Sequence, residues 1–262
     1  MAVRAQSVGW VPAGAWLTPT YAEWPPPAAL RGAVACLWAS VAPDGDLADR
    51  LVLPDGCSDL IWELGVGGYV AGPDTGPFRP RAAAGTVIIG ARFRPAAGGP
   101  ALGLPLSELR DQRVPLADLL PAQARPLSDA LSPAAAAGAL LDVTGRLVAA
   151  SPADSAVARA AALLRDPAAR TEDIAGRVGL SERQLRRRTQ AAAGYGPKTL
   201  QRILRFQRFV AAADASEGRL DLAAAAAMAG YADQSHLTRE SVALSGLTPA
   251  ALAGLRGSSR AA

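Results

Sequence analysis

Residues Thr171 to Pro197 read TEDIAGRVGLSERQLRRRTQAAAGYGP, and this stretch decides the C-terminal part of the fold. Thr171 is positioned to cap a first helix whose inward face is Ile174 and Val178. Gly179 then ends that helix in the left-handed conformation that helix C-termini favour. Ser181 starts a second helix, and Gln184 three residues later completes a capping box. Leu185 is the buried anchor of the second helix. Arg183, Arg186 and Arg187 lie on another side, and no acid follows Glu182 within it. Two short helices joined by a glycine-containing turn, the second studded with arginine, form a helix-turn-helix that reads DNA. A lone run of arginines would be read as solvated surface. Here the pattern recurs, which argues against that reading.

The recurrence is AAAMAGYADQSHLTRESVALSGLTP, Ala225 to Pro249. Gly179 matches Gly230, Leu185 matches Leu237, Gly194 matches Gly246, and Pro197 matches Pro249, with one extra residue before the second recognition helix. Between the repeats, PKTLQRILRFQRFVAAA spaces Leu200, Ile203, Leu204 and Val210 at helical intervals, so one long amphipathic helix links them. Two helix-turn-helix units on one linker helix, with GY-x-DQSHLTRE in the second, resemble the AraC/XylS family of transcription regulators. The resemblance covers roughly residues 151–256. It implies an all-α reader at 151–262 with units at about 171–194 and 221–246, binding double-stranded operator or promoter DNA. Activation and contact with RNA polymerase are implied with it.

Charge agrees with that placement. Residues 151–262 carry 16 basic and 10 acidic side chains, whereas residues 1–150 carry 11 and 13. From Arg183 to Arg208 there are eight basic side chains and no acidic one, the footprint of a phosphate-facing surface. Lys198 is the one lysine in the chain, so the arginine excess partly reflects coding bias. No apolar run reaches membrane-spanning length, and MAVRAQSVGWVPAG has no secretory h-region, which places the protein in the cytoplasm without a membrane partner. Cys36 and Cys57 have neither metal nor redox spacing and read as reduced residues.

The N-terminal part, residues 1–150, reads differently. Residues 1–30, with Trp10, Trp16, Trp24 and three consecutive prolines, suggest an extended arm or edge strands. Strands follow: VACLWASV from Val34, then RLVL and SDLIWEL joined as a hairpin by Pro54-Asp55-Gly56, then GYVAG after a turn at Gly65–Gly68. A loop, PDTGPFRPRAAAG, leads into TVIIGARF. Beyond Pro95 the pattern shifts to short helices and turns, with a longer helix broken at Pro133. Ser151 and Pro152 read as the cap and opening of the next helix, hence as a domain boundary. The fold class is α+β, a β-rich domain before an all-α one. Stretches such as LPDGCSDLIWE and GARFRPAAGGPALGLPLSEL resemble an N-terminal domain found on some AraC-type regulators. In the wider family this position holds a cupin-like barrel that senses a small molecule and mediates homodimers, and the resemblance implies the same here.

Catalysis is disfavoured by inventory. The single histidine is His236, in the second recognition helix, so neither a His-based metal site nor a Ser-His-Asp triad can be built in the β-rich part. Asp55, Asp59 and Glu63 are the carboxylates available for acid–base work; Asp55 belongs to a turn. Cys36 alternates with apolar neighbours and reads as core, against a cysteine that accepts methyl groups in DNA repair. No cofactor is expected. The tryptophans together with Arg92 and Arg94 suit either a ligand pocket or an ordinary core with a charged rim.

Matched to the family, the first unit presents Arg183, Gln184, Arg186 and Arg187 to base edges, and the second Gln234, Ser235, His236, Thr238 and Arg239. Arginine suits guanine and glutamine suits adenine. Arg188, Lys198 and Arg202 fall to phosphates. One departure concerns packing. The family places an aromatic four residues after each recognition-helix leucine, where this chain has Thr189 and Ser241. Either Phe206 and Phe209 fill that space from the linker, or the units are looser.

Overall fold

The computed structural model describes residues 21–42, 51–216 and 220–261. The expected arm with Trp10 and Trp16, and Arg50 at the start of RLVL, lie outside the described residues. The N-terminal part is one antiparallel sheet of six strands: β1 (Tyr21–Trp24), β2 (Val34–Val41), β3 (Ser58–Glu63), β4 (Gly67–Ala71), β5 (Val87–Phe93) and β6 (Arg113–Pro115). Their spatial order is β1-β2-β5-β3-β4-β6, and β1 and β6 are edges that do not pair with each other. Among the described residues the β-rich expectation therefore takes the form of an open sheet, not a closed barrel.

Alternation along the strands sorts this sheet into two chemically different faces. Leu37, Ala39 and Val41 of β2, Leu60 and Trp62 of β3, Val70 of β4, and Ile89, Ala91 and Phe93 of β5 form one apolar face. It packs against α1 (Gly98–Leu102), α2 (Leu116–Leu119), α3 (Pro121–Ser128) and α4 (Pro133–Ala150). Trp62 is buried there and its indole N–H donates to Leu127 O at 3.0 Å. The opposite face carries Cys36, Trp38, Ile61, Ala71, Asp59 and Arg92, a mixture no hydrocarbon core would accept. Trp38 stands opposite Gly90, where a Cβ would meet its ring at 2.3 Å, so the glycine makes room for the indole.

Two expectations fail here. RLVL and β3 do not form a hairpin. Both edges of β3 are occupied, by β4 and β5, and Val52 makes only an isolated bridge to Phe78. The helix after residue 150 is not capped by Ser151. Asp154 caps α5 (Ser155–Leu163), accepting from Ala156 N and Val157 N at 3.1 and 3.2 Å. A carboxylate at that position satisfies two amide donors at once.

The C-terminal part is helical. α6 (Thr171–Arg177) and α7 (Glu182–Ala193) form the first helix-turn-helix, α9 (Leu222–Ala229) and α10 (Gln234–Ser245) the second. α8 (Pro197–Ala215) joins them and α11 (Pro249–Ala261) follows. Thr171 is the first residue of α6, not its cap; Arg170 holds the cap position without a side-chain bond. The Ser181–Gln184 capping box forms in both directions. Gly194 and Gly246 close the two recognition helices at φ +85° and +72°, and Pro197 and Pro249 each open the next helix. Leu185 and Leu237 are buried equivalently, each stabilising its unit by about 1.5–3 kcal/mol. Phe206 and Phe209 are fully buried between the units, ring centroids 6.3 Å apart, and share one core with both leucines. That accounts for Thr189 and Ser241. The linker supplies the aromatic bulk, and buried Ser241 instead donates its hydroxyl to Leu247 O at 2.8 Å.

The sheet part docks on this helical body. Leu53 and Ala96 belong to the helical core. Arg110 donates through Nε and Nη2 to Gly194 O at the C-terminus of α7, at 3.0 and 2.5 Å. Gln207 of α8 donates to Pro54 O at 2.7 Å.

Candidate nucleic-acid interface and junction cavity

The repeat sets the recognition helices in register, so each position of α7 has a counterpart in α10. Arg183, Arg186 and Arg187 are exposed on α7, as are Gln234, Ser235 and Arg239 on α10. Arg187 and Arg239 stand at the same register position, two residues after the buried leucine. Arg183 and Arg187, and at the same register Ser235 and Arg239, lie opposite that leucine, with Arg186 and Gln234 beside them.

The remaining expected contacts are partly committed elsewhere. Gln184 is exposed, but its Oε1 accepts from Ser181 N at 2.9 Å within the capping box. His236 is half-buried and meets Tyr231 edge-on at 5.1 Å. Thr238 donates its hydroxyl to Gln234 O at 2.9 Å. Lys198 is 83% exposed, with Glu172 at 3.8 Å. Arg188 and Arg202, expected on phosphates, are 37% and 39% exposed and each is paired with a carboxylate. Arg188 reaches the Asp154 carboxylate at 2.5 and 2.6 Å, and Arg202 Nε donates to Glu240 at 2.5 Å. Arg188 and Glu240 occupy the same register position, three residues after the leucine. In both units that position anchors the recognition helix by an ion pair. Arg208, part of the basic run, turns inward, donating to Ala229 O and Arg165 O. Burial holds its guanidinium below the ordinary value.

Sequence reasoning missed a groove of about 360 Å³ between the units. Arg170, Lys198, Arg202, Arg205, His236 and Glu240 line it, so it draws on α8, α10 and the start of α6. Arg205 was visible in the basic run; Arg170 precedes it and carried no signal.

A second concavity, about 830 Å³, lies between the mixed face of the sheet and the helices α8 and α11. Tyr21, Trp38, Tyr69 and Phe78 line its sheet side, and Gln207, Val210 and Leu252 its helical side. Arg92 sits among three carboxylates: Glu23 at 3.3 Å, Asp59 at 3.3 Å and Asp55 at 3.6 Å. Trp38 Nε1 donates to Asp59 at 2.6 Å. Burial raises the Asp59 carboxyl above the ordinary range even with Arg92 beside it. Arg113 and Asp74 pair through two bonds at 2.5 and 2.7 Å, with Arg113 stacked on Phe78 at 3.8 Å. Arg256 and Asp214 form a second two-bond pair. Of the expected ligand candidates, Trp38 and Arg92 reach this cavity. Trp62 packs the opposite face, and Arg94 caps Arg31 O at 2.8 Å. Among the described residues no cluster of His, Cys, Asp and Glu can hold a metal ion. No single described helix is long and apolar enough to cross a membrane.

Residues 174–254 match a helix-turn-helix domain family, and residues 22–115 match a domain of unknown function, DUF6597. No match was found among curated proteins. Among solved structures the chain is similar to ToxT from Vibrio cholerae. An apo variant from strain SCE256 shares 11% identity over 84% of this chain and 97% of that one, with a TM-score of 0.45. ToxT from strain O395 shares 9% identity over 84% and 96%, with a TM-score of 0.43.

Proposed function

We propose that this chain, whose residues 174–254 match a helix-turn-helix domain family and whose paired motifs resemble the AraC/XylS family, is a DNA-binding transcription regulator in which α7 and α10 read successive major grooves of one operator. The observation that carries this reading is the exposed face repeated in register, Arg183 and Arg187 on α7 and Ser235 and Arg239 on α10, flanked by exposed Arg186 and Gln234. α8 has 19 residues and spans about 28 Å at 1.5 Å per residue, in keeping with recognition helices one DNA turn apart. Arginine-rich α7 supplies most of the affinity, and α10 adjusts it. Lys198 and the exposed part of the groove between the units take phosphates.

Residues 1–150 act as the regulatory part and residues 151–262 as the reader, working in the cytoplasm with RNA polymerase as the further partner. The junction cavity supports small-molecule control over simple dimerisation. Its walls come from both parts, so an occupant there bears on α8, which carries both reading units.

Footprinting the full chain on an operator found by genome-wide mapping tests the DNA reading. The expected result is protection of two adjacent major grooves on one face without a palindrome. Protection of a single groove, or a strict requirement for a palindrome, refutes it. Arg187→Ala should cost about 1–3 kcal/mol on the operator and little on unrelated DNA. Equal weakening on both would make Arg187 a phosphate contact.

A further inference from the structure

The lining of the junction cavity is short of positive charge. Five described carboxylates face it, Glu23, Asp55, Asp59, Asp74 and Asp214, against three guanidinium groups, Arg92, Arg113 and Arg256. Two of those guanidiniums are each held by a carboxylate through two hydrogen bonds, Arg113 by Asp74 and Arg256 by Asp214. The imbalance therefore gathers around Arg92, which alone serves Glu23, Asp55 and Asp59. Two of the three carboxylates are partly shielded from water: the side chains of Asp59 and Asp55 are 14% and 32% exposed, that of Glu23 45%. Negative charge held away from water without a matching cation is costly. Burial raises the Asp59 carboxyl, and the neighbouring Asp55 charge adds to the rise.

The rest of the lining says what kind of cation fits. Trp38 lies across the floor beside this cluster, bonded to Asp59, with Tyr21 at 6.0 Å between ring centroids. Tyr69 lines the same side. Aromatic rings next to surplus carboxylates attract an organic cation twice over, through the ring faces and through charge. An anion would meet three carboxylates that share one guanidinium, Arg92, which is already in use. A bare metal ion is disfavoured, since the described side chains form no metal-holding cluster. The volume admits a molecule of drug-like size.

We propose that this cavity binds a protonated amine carried on a flat aromatic body, its ammonium placed among Glu23, Asp55 and Asp59 and its ring against Trp38. The proposal rests on reading the N-terminal part as regulatory, and names the chemical class to which that part responds.

Three probes sharing one ring system and differing in charge test it on the full chain: tryptamine, the neutral alcohol tryptophol, and indole-3-propionate. Binding is followed by thermal shift and ligand-observed NMR. Tryptamine should bind saturably and about tenfold or more tighter than tryptophol, with indole-3-propionate weakest. Glu23→Gln with Asp55→Asn should remove the advantage of tryptamine while leaving tryptophol binding unchanged, which also shows that the variant is folded. Trp38→Phe should weaken all three. Equal binding of amine and alcohol, or preference for the acid, overturns the charge assignment; no saturable binding by any probe overturns the site. Operator affinity with and without tryptamine separates the two readings. Saturable binding with unchanged operator affinity sinks the regulatory role and leaves the ligand class standing. Absent binding by a chain that still footprints its operator sinks only the cavity proposal.

Discussion

Arg188 decides between two accounts of the basic run, and its replacement by alanine separates them. On sequence it belongs with the phosphate contacts; in the structure it grips Asp154, which in turn caps α5. The pair is 37% and 23% exposed, so solvent screens it and its direct contribution is about 0.5–1 kcal/mol. Loss of the partner also frees the carboxylate that holds Ala156 N and Val157 N, and a cap of this kind is worth about 1 kcal/mol. Arg188→Ala should therefore cost about 1 kcal/mol in urea unfolding. Asp154→Ala, which removes pair and cap together, should cost about 2, and the double variant no more than Asp154→Ala alone. In a titration of operator affinity against salt, Arg188→Ala should leave the log–log slope unchanged, because no phosphate contact is lost. A slope flattened by about 0.9 with an unmoved unfolding midpoint would refute the internal assignment and return Arg188 to the DNA.

Lys198→Ala should flatten the same slope by about 0.9, and adding Arg202→Ala should change it little further, since Arg202 is held by Glu240; a further drop of similar size would place Arg202 on DNA. Gly194→Ala should lower the melting temperature and loosen the junction, readable as faster proteolysis between the two parts. Residue 194 has φ +85°, and a Cβ there would meet Pro73 at 2.3 Å. Burial pushes the Cys36 thiol up to about 12, so it should not react with a thiol reagent at pH 8 until the protein is unfolded. Because the folded-state value lies above the ordinary 9.0, the stability tied to Cys36 is full below about pH 9 and is lost as pH rises toward 12; calorimetry across that window reads it.

What could be read in the chain was local. The capping box at Ser181 and Gln184, left-handed Gly179 after α6 and the buried, matched leucines all act within a few residues of themselves, and each formed as expected. The short apolar runs of β2, β3 and β5, bounded by turn residues, were legible for the same reason. β6 has three residues and ends in proline, too short to show a period, and it exists because β4 offers an edge. RLVL failed because strand partners are chosen across the sheet, where β5 outcompetes it for β3. The arginines divide similarly. Which of them face solvent on a helix follows from spacing, but the partners that withdraw Arg188 and Arg202 lie 34 and 38 residues away. The cavity was half legible. Trp38 and Arg92 were visible as candidates, but their meeting with Asp55 and Glu23 depends on a register that only pairing establishes.

α8 has consequences for how regulators of this plan can be recombined. One side of it carries Phe206 and Phe209, which pack the two reading units together; another presents Gln207, Val210 and Asp214 to the cavity and to Pro54. A chimera cut at residue 150, joining this sheet to a foreign reader, would keep the sheet side of the cavity and lose its helical wall. Transplanting the response along with the sheet therefore means carrying over the cavity-facing positions of α8 and α11 too. The useful seam runs along the length of one helix, whose cavity-facing and core-facing positions are adjacent and are inherited together.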